Sequence, residues 1–210
     1  MMLMSRGQHQ APPSTEPDGF RWRRFALALA VLLMVSAVLG IAMAQGVLAT
    51  SFAVSGRKMK VSAQRIDGSG YVMYPSLVTS AGGARHPVTV LGIRSGRMRG
   101  MCQSAVVPTP LGRYVLRLSS APGATVPVSD LLVSASHVNA DIDYRKLQIN
   151  RDAASLDAIP GATGNPGQFG LQAARFTVND VHVGSWAVLS SSMRIPGLRL
   201  ALGPHEHECF

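Results

Sequence analysis

Acidic residues, cysteines and catalytic signatures are all scarce in this 210-residue chain, and each shortage narrows what it can be. No G-x-S-x-G elbow occurs. Gly92-Ile93-Arg94-Ser95-Gly96 and Gly68-Ser69-Gly70 share only glycines and a serine with it, so an α/β-hydrolase nucleophile has no support. A phosphate loop, a dinucleotide fingerprint and an H-E-x-x-H helix are equally missing, and no cofactor is expected. Eleven Asp and Glu stand against twenty Lys and Arg, a formal charge of +9 at pH 7. Only Arg6, Arg21, Arg23 and Arg24 among those cations precede Phe25, so the excess belongs to the chain beyond that residue. With two cysteines, only one intramolecular pairing exists.

What is present first is an apolar run. Phe25 to Ala44 holds no charge, and Ser36 is its one polar interruption. A helix rising 1.5 Å per residue needs roughly 20 such residues to cross a hydrocarbon core. Arg21, Arg23 and Arg24 precede the run and no further charge occurs until Arg57. The positive-inside rule therefore predicts a cytoplasmic front and an exported remainder, with Trp22 at the headgroup level. The competing expectation is a cleaved signal, for which Ala42-Met43-Ala44 and Val47-Leu48-Ala49 offer small-residue sites; the product is then secreted. The sequence thus divides into a disordered cytoplasmic segment (1–20), a transmembrane signal-anchor or signal peptide (21–49) and an extracytoplasmic domain (50–210). The first segment is too polar to offset its ordering entropy, and the last is large enough for one core.

Beyond the run, apolar residues seldom recur at helical spacing and mostly alternate, as strands require. Val138, Ala140, Ile142 and Tyr144 interleave with His137, Asn139, Asp141 and Asp143 in the clearest case. Met59, Val61 and Ala63 alternate likewise, as do Leu198, Leu200 and Leu202. Further strands are expected at 88–93, 114–118, 131–135, 147–149, 176–183 and 186–189, with Gly, Pro, Ser or Asn between them. Residues 150–170 read as a long surface connection, and only 153–159 could form a short helix. The predicted fold is all-β: an antiparallel sandwich, barrel or elongated sheet behind one amino-terminal transmembrane helix.

Both Cys102 and Cys209 fall on the exported side, where disulfides persist. Their bridge would close a loop of roughly 100 residues, worth about 4.7 kcal/mol by chain entropy; two free thiols are the alternative. The tail His205-Glu206-His207-Glu208-Cys209, if extended, sets His205, His207 and Cys209 on one side, a ligand set for zinc or copper. That competes with the bridge for one sulfur, and an oxidising exterior favours the bridge. Arg94, Arg97 and Arg99 are the densest cationic cluster, either an anionic-ligand patch or a solvated face. Asp141 and Asp143 share one face of their strand and read as solvent-facing. Membrane, anionic lipid or wall polymer are the expected partners, and nucleic acid is not.

Arg23-Arg24-Phe25, Ala44-Gln45-Gly46, Ser51-Phe52-Ala53-Val54-Ser55-Gly56, Met101-Cys102-Gln103-Ser104 and Glu208-Cys209-Phe210 together resemble an uncharacterised family of actinobacterial single-pass envelope proteins. Its members often carry the label cholesterol esterase. The resemblance implies that the two cysteines act together and that a small multi-pass membrane protein is a partner. The expected function is non-enzymatic binding of lipid, wall polymer or a membrane partner, with a lipid-ester hydrolase of cholesterol-esterase type as the alternative.

Overall fold

With no proline between Trp22 and Ala44 and only Ser36 polar after Arg24, this part of the chain coils into one helix, α1 (Trp22–Ala44). The structure, a computed structural model, describes residues 22–44, 56–204 and 206–210. The chain falls into two units, Met1–Ala49 and Thr50–Phe210. In α1 the Ser36 hydroxyl donates to the Leu32 carbonyl at 2.7 Å, so this polar group is satisfied inside the helix. Among the described residues no helix is long and apolar enough to cross a membrane. The expected segment 1–20 and the small-residue site at 47–49 lie outside the described residues.

The second unit is built almost wholly from strands: β1 (Met59–Thr79), β2 (Arg85–Arg99), β3 (Cys102–Thr109), β4 (Gly112–Ser119), β5 (Thr125–Asp152), β6 (Phe169–Leu189), β7 (Ser192–Met193) and β8 (Arg199–Gly203). All pairings are antiparallel, in the order β2-β5-β6-β1-β3-β4-β8. Because β2 also pairs with β1, the strands β1, β2, β5 and β6 close into a ring. β3, β4 and β8 leave that ring as a wing, and β7 pairs with β5.

The expected β class is present, but as a few long strands instead of many short ones. The segments 131–135, 138–144 and 147–149 are one strand of 28 residues. Some glycines within the strands are needed where neighbouring layers pack closely. A Cβ at Gly92 would lie 2.6 Å from Val72 Cγ2 and 2.8 Å from Ile159 Cδ1, so any side chain there forces the layers apart. The stagger explains the length. Leu147 pairs with Ala173, Ala173 with Tyr71, Tyr71 with Ile93, and Ile93 with Leu131. One circuit therefore returns to β5 sixteen residues earlier, which tilts four strands steeply around a narrow, side-chain-filled interior.

Tyr71, Ile93, Leu131 and Ala173 belong to the inner core. Their neighbours Val72, Tyr74 and Val90 face outward, yet they are buried too, in a second core with Trp186. The cover is the segment expected as surface connection. Asp152 caps a single 3-10 turn, Ala153–Ser155, and Ala153, Leu156, Ile159 and Ala162 all point inward. Asp152 carboxylate oxygens accept the Ala154 and Gly167 amides, each at 2.8 Å, and these bonds hold its carboxyl below the ordinary carboxylate range. Small apolar residues at irregular spacing hid this layer, because neither strand nor helix period applies to it.

Candidate functional site

Across the ring, one line of residues is skipped between paired neighbours: Lys146, Ala174, Gly70, Arg94 and Asp130. Three of them, Gly70, Asp130 and Lys146, have φ of +67°, +46° and +55°. Only Gly takes that region freely, and two non-glycine residues held there in register mark a strained seam of the kind that collects at binding sites. All five line one cleft of about 820 Å3, roofed by Asp157, Ala158 and Pro160. At Gly70 a Cβ would stand 2.9 Å from the Ala158 carbonyl oxygen, so the seam runs directly beneath the roof.

The roof is pinned by one buried amide. Gln172 Oε1 accepts the backbone amides of Asp157 (3.0 Å) and Ala158 (3.3 Å), while its Nε2 donates to Gln148 Oε1 (2.9 Å) and Asp157 Oδ1 (2.8 Å). Arg151 donates to Gln148 Oε1 at 2.8 Å and pairs with Asp157 at 3.1 Å. The amide of Gln172, then Arg151, keep the Asp157 carboxyl below its usual range. Every polar atom of Gln172 is used, as burial demands.

Beside the cleft a row of directly opposed residues crosses five strand segments: Arg145, Arg175, Ser69, Ser95 and Ser129. At about 4.8 Å per strand this path runs about 19 Å around the ring, beginning and ending on β5. Ser69 and Ser95 share a hydrogen bond of 2.8 Å. Like charges set directly opposite one another destabilise a sheet, and the next rows show how this is normally relieved. Arg65 and Arg99 are also opposed, but Asp67 grips Arg65 with two bonds of 2.8 Å. That grip, helped by Thr177 and Arg99, holds the Asp67 carboxyl below its ordinary range. Among the described residues neither Arg145 nor Arg175 has such a counter-ion; the ion pairs are Lys60–Glu208, Arg65–Asp67 and Arg151–Asp157.

The three arginines expected as a patch are all exposed on β2. Arg94 lies in the cleft, Arg97 opens on a shallower hollow with Asp67 and Arg175, and Arg99 faces Arg65. The sequence does not single out Arg145, Arg175, Lys146 or Gln172. A signal exists for Arg145 alone, which continues the alternation of Asp141 and Asp143 on one exposed face. The cleft serines have no histidine among their lining neighbours; Lys146, Asp130 and Asp157 are the titratable groups there, beside Arg94.

Cys102 and Cys209 are bonded, with Cα atoms 5.8 Å apart. The Cys209 amide donates to the buried Ser104 hydroxyl at 3.0 Å. Lys60 binds Glu208 at 2.7 Å and the Phe210 carbonyl at 2.6 Å. The two motifs Met101-Cys102-Gln103-Ser104 and Glu208-Cys209-Phe210, far apart in sequence, thus meet in one latch. With its sulfur in the bridge, Cys209 is no thiolate ligand. His207 is exposed, and His205 lies outside the described residues. Among the described residues no three His, Cys, Asp or Glu side chains gather as a metal site.

No curated protein and no solved structure matches the chain. A family model does match residues 55–210, which takes in the whole barrel, the wing and the latch. On that match the chain belongs to DUF6230, a family of unknown function.

Proposed function

We propose that this is a non-enzymatic protein of an actinobacterial cell envelope, held at the membrane through its amino-terminal apolar run 25–44, whose barrel binds an anionic wall polymer outside the membrane. The uncompensated Arg145–Arg175 pair carries the reading. Arg145 and Arg175 are directly opposed in the ladder and neither is in an ion pair, and the same row continues into three hydroxyls suited to phosphate or carboxylate oxygens. Arg94 and Lys146 line the adjoining cleft, together with Asp130 and Asp157. The address rests on the apolar run, the arginines before it and the disulfide, which fits an oxidising compartment.

Titration of the full chain with poly(glycerol phosphate) tests this. Binding should weaken with rising salt, and Arg145→Ala with Arg175→Ala should lower affinity at least tenfold. Equal affinity in the double variant would remove the row from the function.

A further inference from the structure

β8 is the outermost strand of the wing and pairs with β4 on one side only. Its leucines do not cover a core. Leu200 and Leu202 are 65% and 63% exposed, and Leu198 just before them is 51% exposed. Edges normally refuse further pairing through lysine, proline or a bulge. None interrupts Arg199–Gly203, whose pairing with β4 is regular throughout. A strand added at this edge would pair with its backbone and set apolar side chains beside Leu200 and Leu202.

We infer that the strand added there belongs to a second copy of the chain, joined β8 to β8 in antiparallel fashion about a two-fold axis at Ala201. In that register Leu200 stands opposite Leu202 of the second copy, and Leu202 opposite its Leu200, so the four side chains form one stripe on one face. Arg199 falls opposite Gly203 of the second copy. This is where the charges agree. Glu206 folds back over Gly203, its Cγ 3.4 Å from where a Cβ would be. Arg199 of each copy therefore meets Glu206 of the other, twice by symmetry. Among the described residues neither Arg199 nor Glu206 has an ionic partner within its own chain. With the axis at Leu200 instead, Arg199 would face Ala201 and lose that carboxylate. The product is a six-stranded sheet, β3-β4-β8-β8-β4-β3, with isologous contacts. Neither the pairing nor its evidence depends on the anion row, although two rows in one particle would raise avidity for a repeating polymer.

Sedimentation of the full chain in a neutral detergent tests the pairing. The protein mass should be twice the 22.2 kDa of one chain. Arg199→Glu or Glu206→Arg alone should weaken the dimer at least tenfold, and the two together should restore it. Ala201→Cys should form an intermolecular disulfide on oxidation, because a residue on the axis faces itself at about 5 Å between Cβ atoms. A monomer throughout, a dimer indifferent to both charge reversals, or a dimer that Ala201→Cys does not cross-link overturns the inference. Polymer binding that persists in a monomeric variant leaves the anion-row reading standing on its own.

Discussion

The ring and the wing use the same local pattern to opposite ends. In the ring, consecutive residues Tyr71 and Val72 are both buried, one in each core, because the strands close on themselves and a folded-over segment covers the outer face. In the wing, Leu200 and Leu202 alternate as cleanly as any ring residues, yet their face is open. Alternation announces that a strand has two faces; what covers each face is settled by elements distant in sequence. The two regions are held differently as a result. Closure and packing hold the ring, whereas the wing leans on the Cys102–Cys209 bridge, the Ser104 bond and Lys60.

Breaking the bridge should separate the two regions most. Cys102→Ser with Cys209→Ser should lower stability by about 2–4 kcal/mol. In hydrogen exchange the amides of β3, β4 and β8 should then exchange well before those of β1 and β6; uniform loss of protection would mean the wing and ring are one cooperative unit. Next in size, Gln172→Ala strips the partner from two roof amides. A loss of about 1–3 kcal/mol by denaturant titration is expected, with the wing's exchange unchanged.

The anion row should behave in the reverse sense. Arg145→Ala removes a like-charge contact, so the melting temperature should rise slightly, by the equivalent of about 0.2–1 kcal/mol, while affinity for poly(glycerol phosphate) falls. A variant that loses both stability and binding would show Arg145 to be structural. The smallest effect is acid sensitivity. Asp67, Asp152 and Asp157 all have carboxyls lowered by hydrogen bonds. A depressed folded value means their stabilisation is complete above about pH 4, the unfolded value, and is lost as pH falls below it. Acid titration of Asp157→Asn should show a shallower fall than the parent, and an identical fall would mean Asp157 makes no contribution.

Much of the strand content is legible in the sequence. Residues 138–144 alternate, 88–93 and 176–183 are expected as strands, and each lies within one. The 21-residue run of β1 is hidden because Gly68 and Gly70 read as punctuation, whereas the 28 residues of β5 hold no glycine and lose their alternation at register shifts between Ser134 and Asp141. The two glycines are tolerated inside a strand here only because another backbone or side chain occupies the space a Cβ would take. The buried layer at 153–162 reads as surface for a similar reason, since Gly and Pro are frequent in and around it. At the site, Arg94 is visible as part of a cationic cluster. Arg175 is not, because it meets Arg145 through a pairing between residues thirty positions apart.

The sequence by itself determined a β-rich, basic domain, an apolar helical run ahead of it and, with two cysteines, the one bridge available. These follow from period, composition and count, which are local or additive properties. Ring closure, the strained seam, the facing arginines and the uncovered leucines of β8 were decided only by the tertiary structure. Each depends on register between distant strands, and a shift of one residue would turn every side chain concerned to the opposite face.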